Sequence, residues 1–575
     1  MLMCRPSVAD GFFSLSFILL ILLPVDSFPK DRRFFLAEPS QKTLKKPDMG
    51  TLPRSGVGGG LKQAPSNEPQ APLAQPAPRI SKPDIVLTHT LEMSLQDVIA
   101  NTLKNNVSIA IQNFQSQIRK QEIITQEAEF DPNISFDGNA TQERQLSAFS
   151  VSNPKTNVNT QSFELGFDQK LKLGTQYELK FQNERIETDS FFSKLSPLYS
   201  TRFEVNLTQP LLKNFGRDIN SSNITIAKNN LDISDFEFKN KVIDVISDVE
   251  NVYWDLVFSR EDLKVQQKSV QRAKDLERRV KAQVEVGTMA PLEILQAQSE
   301  VASREEAVIQ AQKLIQDNQD NLKNTLNIPF DSPDGMKEIQ PLDSPQFLIE
   351  TPISLKDSIR TALMKRPDHL SKKKELDSKN ILVKFNENQL YPTLDLVASF
   401  GLNGISGESS GIPPPSPFTG NFGRSQDRLF SGDYSTWEGG LLFKYPLGNR
   451  AAKSRLTATK LAAAQLLMDI KDLEKTIVLE VREAARQINT DKKRVQAARI
   501  ARKLAEETLS AEEKKFEVGL STSFRVLEFQ TDLAEQQSKE LKAIIDFNKS
   551  KIKFRKVLAT TLEEYNIQMA SDFGP

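Results

Sequence analysis

The chain has almost none of the residues that catalysis and metal binding usually draw on. Its one cysteine, Cys4, stands among the first few residues, and its two histidines, His89 and His369, are far apart. A disulfide framework, a His/Cys zinc site and a thiol nucleophile therefore do not fit. Charge of one sign is lacking too: 75 basic residues balance 75 acidic ones. Nothing in that balance draws the chain to nucleic acid. The basic stretch Asp491–Lys503 reads as a solvated helix face. No G-x-x-x-x-G-K-[ST] phosphate loop occurs, and the glycines of S-G-V-G-G-G lie in a proline-rich segment. Carboxylates are plentiful, but no spacing singles out a catalytic pair. Neither a cofactor nor an active site is expected. Beyond the N-terminus no run approaches the ~18 consecutive apolar residues of a membrane-spanning helix. From Asn449 to Phe573 there is no proline and one glycine, Gly519.

What is present begins with G-F-F-S-L-S-F-I-L-L-I-L-L, Gly11–Leu23, preceded by Arg5 and followed by small residues. Its length suits a signal-peptide core, so residues 1–27 are expected to be cleaved and the protein exported. Cys4 precedes this core, so no lipid anchor is expected. Residues 28–86 are rich in proline, glycine and polar residues and read as an arm without a core. An exported chain without a spanning helix can enter a membrane only as a closed β-barrel.

The rest is an internal duplication, repeat 1 at 87–340 and repeat 2 at 341–575. S-L-Q-D-V-I-A-N-T-L-K-N-N from Ser94 matches S-L-K-D-S-I-R-T-A-L-M-K-R from Ser354, 260 residues later. The same offset relates Pro132 to Pro392. It falls to 236 between Pro210 and Pro446, and to 232 between Gly287 and Gly519. Helical parts of matched length are thus expected, with a 24-residue excess between the proline pairs of repeat 1. Each repeat reads as a helix (94–129; 354–390), strands (133–209; 393–446), a long helix (219–286; 451–518) and a last helix (291–326; 524–559). A 68-residue helix is ~100 Å long and the short ones ~54 Å. Two short helices end to end therefore match one long helix, the proportions of a cylinder wall. Ile294, Val301, Val308, Ile315 and Leu322 lie seven apart, a coiled-coil seam.

The strands alternate. Leu394, Leu396, Ala398, Phe400 and Leu402 share one face, with Asp395, Ser399 and Asn403 opposite; Trp437, Leu441 and Phe443 oppose Thr436, Glu438 and Lys444. Ile134, Phe136, Phe203, Val205 and Leu207 repeat the pattern in repeat 1. Lengths near ten with aromatics at the ends suit outer-membrane barrel strands. The loop G-I-S-G-E-S-S-G-I-P-P-P-S-P-F-T-G-N-F-G reads as long and flexible. The excess in repeat 1 reads as an inserted hairpin over 163–181, turning at Gly174-Thr175, with its membership of a barrel left open. Two or four strands per repeat cannot close a barrel, which needs about eight, so an oligomer is expected.

The duplicated helix–strand–helix order, the paired Q-P-L-L and Y-P-L-G entries to the long helices, and V-G-x₆-[IV]-L-x-x-Q in both halves resemble the TolC-like outer-membrane efflux protein family over about residues 90–562. The resemblance implies an α+β membrane protein: a long α-helical coiled-coil barrel joined to a transmembrane β-barrel, both shared by a homotrimer. It implies outer-membrane lipid around the barrel, and a periplasmic adaptor and an inner-membrane transporter as partners. By position, the adaptor-docking tips are Val286, Gly287, Thr288, Leu292 and Leu295 with Val518, Gly519, Leu520, Ser521, Val526 and Leu527. Where familiar members carry a tyrosine, an arginine and two aspartates that close the periplasmic mouth, this chain has Phe516, Ser521, Arg525 and Glu528. A substitute gate would pair Arg525 with Glu528 or with Glu293. The function so implied is a passive exit duct, without enzymatic activity, for a tripartite efflux or type I secretion system. The alternative is a structural coiled-coil protein of the envelope that forms no channel.

Overall fold

The computed structural model describes residues 90–146, 155–347, 353–413 and 416–568. The expected signal peptide and arm lie outside the described residues. In chain order the elements are β1 (Thr90–Met93), α1 (Leu95–Asn105), α2 (Val107–Glu127), β2 (Asn133–Leu146), β3 (Lys155–Lys170), β4 (Gln176–Thr188), β5 (Leu195–Pro210), α3 (Arg217–Asn220), α4 (Ser222–Glu285) and α5 (Leu292–Thr325). The second half holds β6 (Glu338–Pro341), α6 (Leu355–Lys365), α7 (Pro367–Asn388), β7 (Thr393–Ser409), α8 (Phe422–Ser431), β8 (Ser435–Lys444), α9 (Arg450–Glu517), α10 (Ser523–Leu558) and α11 (Thr561–Glu564).

The long helices α4 and α9 have 64 and 68 residues. Each folds back antiparallel into its short partner, α5 or α10, and α10 also packs on α4. The first helix of each repeat departs from expectation. It is not continuous but breaks at Asn106 and at Arg366, both in extended conformation. Pro367 dictates the second break, because a proline pushes its predecessor out of the α region. In repeat 1 the asparagine does the same work with its side chain, accepting from the backbone N–H of Ser108 and Ile109 to cap α2. Asn106 Nδ2 also donates to the carbonyl of Thr325 at 3.0 Å. The start of α2 is thereby set on the end of α5, so two short helices do run end to end beside one long one.

Around this joint lies the main core. β1 and β6 pair in parallel, and Met93, Val98, Ile246, Val249, Leu256, Leu322 and Ile339 pack together. Tyr253 is fully buried and donates its hydroxyl to Asp343 at 2.6 Å. Glu250, also buried, takes Arg555 Nη2 at 3.1 Å and the Tyr565 hydroxyl, which fastens α10 and the C-terminal segment to α4.

The six long strands form one antiparallel sheet in the order β2-β3-β4-β5-β7-β8. The 163–181 hairpin therefore joins this sheet as parts of β3 and β4. Its turn is tucked against the β5–α4 connection: Gly174 has φ +98, and a Cβ there would come within 2.5 Å of the Asn214 carbonyl. The loop expected after β7 is only partly a loop, since β7 runs on to Ser409 and α8 follows. Amide side chains bind sheet to helices. The Asn388 carboxamide accepts from Asn214 N at 2.7 Å and donates to the Leu212 carbonyl at 3.2 Å.

Candidate functional site

Both helical hairpins turn through the same backbone device. After α4 the chain ends in a Schellman motif: Gly287 N–H donates to Val284 O at 3.0 Å and Thr288 N–H to Gln283 O at 2.9 Å. After α9, Gly519 N–H donates to Phe516 O at 3.1 Å and Leu520 N–H to Lys515 O at 2.8 Å. This motif needs a left-handed residue, and the two glycines have φ +77 and +79. No heavy atom lies within 4 Å of a Cβ built on either one, so the requirement is conformational and not one of space. Thr522 caps α10, and Pro291 stands just before α5.

Around the turns Val286, Leu292, Leu295, Val518 and Leu520 are exposed, Leu520 by 79%. Five apolar side chains in water at two adjoining tips are costly unless something covers them. Thr288 turns its hydroxyl onto Gln283 O at 2.8 Å, and Ser521 donates to Glu512 at 2.6 Å. Val526 and Leu527 are not on this surface. They are buried with Leu276, Val280, Leu509 and Phe516 in the core beneath the tips, where the inward face of α10 meets α9 and α4.

The gate residues stand differently from the sequence expectation. Phe516 belongs to that core and is 4% exposed. Among the described residues no ion pair joins Arg525 to Glu528 or to Glu293. Arg525 Nε lies 4.0 Å from Glu512, which already holds Lys515 at 3.0 Å. The Ser521 hydroxyl first and Lys515 second hold the Glu512 carboxyl below its usual range. Glu293 instead accepts from the buried Ser523 hydroxyl and so ties the first tip to the start of α10.

One buried link between the hairpins is a residue that sequence reasoning passed over. Arg304 on α5 is buried and spends all five N–H donors. Its Nε meets Glu300 at 2.9 Å, and Nη1 meets Ser269 O at 3.2 Å and Gln530 at 3.1 Å. Its Nη2 meets Leu527 O at 3.0 Å and Thr531 at 2.9 Å. Burial pulls its pKa down while Glu300 holds it up. A signal was available. Ala297, Arg304 and Ala311 lie seven apart and are all buried, so the arginine occupies a seam position between two small residues.

The sheet separates polarity cleanly. Reading across the paired strands, Ile134, Phe167, Leu179, Val205, Phe400 and Trp437 form one row, and Phe136, Leu165, Phe181, Phe203 and Leu402 the next. The opposite face carries Ser135, Gly166, Lys180, Glu204, Gly401 and Thr436, then Asp137, Glu164, Gln182, Arg202 and Asn403. Trp437 is 82% exposed. No described helix is long and apolar enough to cross a membrane, and no group of metal-ligating residues occurs among the described residues.

Several solved structures share this architecture. The outer-membrane channel OprN matches with a TM-score of 0.59 at 13% identity, covering 81% of this chain and 89% of its own. The Campylobacter jejuni CmeC outer membrane channel matches at 0.56 and 17% identity, covering 83% and 90%. The open state of the Neisseria gonorrhoeae MtrE outer membrane channel matches at 0.56 and 16% identity, covering 81% and 88%. A comparison with curated proteins gives no match. The family model described as outer membrane efflux protein matches residues 98–327 and 358–560, which are the two repeats with their helices and strands. The chain therefore belongs to the outer membrane efflux protein family.

Proposed function

We propose that three copies of this chain form the exit duct of a tripartite efflux or type I secretion machine, docked to a periplasmic adaptor and through it to an inner-membrane pump. The family is one of outer-membrane efflux channels, passive and not enzymatic, whose helical part lies in the periplasm. The observation that carries the finer reading is the six-stranded sheet with two free edges, β2 and β8, one apolar face and one polar face. A sheet of this kind cannot stand in lipid with open edges. Three such sheets joined β8 to β2 make a barrel of eighteen strands, in the range that encloses water. The polar face then lines the lumen and the apolar rows meet the membrane. The exposed apolar tips supply the surface that an adaptor would cover.

The test is a set of cysteine pairs along β2 and β8, with Cys4 replaced by serine. Oxidation of the extracted protein should give a covalent ring of three chains for pairs in register. Monomers alone at every register would overturn the shared barrel. Crosslinking from Leu520→Cys to a periplasmic partner examines the docking separately.

A further inference from the structure

The helix α8 packs on the apolar face of the sheet, not on the polar one. The residues it touches fix this. Thr201 Oγ1 lies 2.9 Å from Ser425 Oγ, and Asn183 Nδ2 donates to Thr201 at 2.8 Å. Ser406 donates to the carbonyl of Asn421 at 2.6 Å, and Tyr199 and Phe422 meet ring to ring. Asn183, Thr201 and Gly404 form one cross-strand row, directly beyond the row of Phe181, Phe203 and Leu402 and on the same side. Successive rows on one face are about 7 Å apart along a strand.

This side has been hollowed to receive the helix. A Cβ on Gly404 would lie 2.0 Å from the Ser425 carbonyl, so only glycine permits the contact. Small and polar side chains take the positions where the neighbouring rows carry phenylalanine and leucine. The helix is fixed at both ends, by the Asn421 side chain accepting from Arg424 N and by Gly432 in the left-handed region. Its buried stripe is Ser425 and Leu429. Phe430 is left 75% exposed, on a flank that also presents Arg424 and Asp427.

We infer that α8 is a membrane-interface anchor: it lies against the outer wall of the barrel at the rim far from the helices and sets Phe430 into the outer leaflet at headgroup depth. The inference rests on the barrel reading above. The occupant of the exposed flank is lipid because the flank continues the lipid-facing side one row beyond the apolar band. A short amphipathic helix with an aromatic on its free flank belongs at that depth. The same helix over the lumen would instead act as a constriction, but its contacts are on the other side of the sheet.

The test uses the full chain with Cys4→Ser, reconstituted in phosphatidylcholine nanodiscs. Single cysteines replace Phe430, Phe400 in the apolar band, or Glu438 on the polar face, each carrying an environment-sensitive fluorophore. The expected result is loss of fluorescence at 430 to lipids brominated on the acyl chain, more with shallow bromines than deep ones. At 400 deep bromines should quench more, and at 438 only aqueous iodide should quench. Quenching at 400 together with iodide-only quenching at 430 overturns the anchor while leaving the barrel intact. No lipid quenching at 400 overturns both. Phe430 is exposed, so its replacement does not put folding at risk.

Discussion

Replacing Arg304 with methionine keeps the apolar stem and removes all five of its hydrogen bonds, four of which tie α5 to α4 and α10. Removing one partner of a buried ionic network costs ~3–5 kcal/mol. Glu300 is 31% exposed and can turn to water, which places the cost near ~3 kcal/mol. If the mouth opens by parting α5 from α10, the three bonds to α10 exist only in the closed state. The substitution then favours opening by up to roughly a hundredfold per chain, since each 1.4 kcal/mol is tenfold. Single-channel recordings in planar bilayers should show longer open times and higher mean conductance. Arg304→Lys, which keeps charge but loses the planar fork, should fall between. A double-mutant cycle with Gln530→Ala should be non-additive, as expected of groups in one network. Unchanged conductance in Arg304→Met, alongside a lower melting temperature, would refute the gating argument and leave Arg304 as a purely structural clamp.

Gly519→Ala meets no steric obstacle, so it should cost only the left-handed backbone penalty of ~1–2 kcal/mol, with Asn costing less, read as increased protease cutting at the second tip. Glu512 has its pKa lowered in the folded tip, so the stability it lends is present above its ordinary value of 4.5 and lost as pH falls through the folded value. A spin label at Leu520→Cys should accordingly become more mobile in acid, whereas in Glu512→Gln it should be mobile already at neutral pH and insensitive to acid. The polar face of the sheet carries Asp137, Glu164, Asp168, Glu178, Glu204 and Glu438 against Lys180, Arg202 and Lys444. The pore should therefore prefer cations in a salt gradient, and Glu164→Gln with Glu204→Gln should reduce that preference; anion selectivity would contradict the assignment of faces.

The periodic features were legible in the sequence because their physics is local. The alternation of Leu394 to Leu402 and the two V-G tips depend only on neighbours in the chain, and both stand where the pattern puts them. Features that depend on partners distant in sequence were not legible. Pro367 carries a local signal for its helix break that a helix over 354–390 reads through, whereas Asn106 breaks the first repeat through a side-chain cap and a bond to Thr325, which no periodicity reveals. The pattern of β3 and β4 was visible, yet their place inside the sheet depends on register with β2 and β5. Arg525 was weighed as a gate residue because of its position. In the fold it is an exposed side chain, and the cation buried between the two hairpins near the tips is Arg304, at a seam position that charge alone disguises.

The two added strands have a geometric consequence. β3 runs back from the far rim to the helical end, turns at Gly174, and β4 returns to the far rim, so β5 re-enters the helical part from the same end as it would without them. The wall of helices keeps its number of staves while the sheet gains two per chain. Across three chains, six more strands at about 4.8 Å spacing and ~40° tilt widen a barrel by roughly 12 Å in diameter. In such a duct the mouth can be broadened without altering the tunnel that feeds it. The bore at the cell surface and the bore at the adaptor are then separately adjustable dimensions of one molecule.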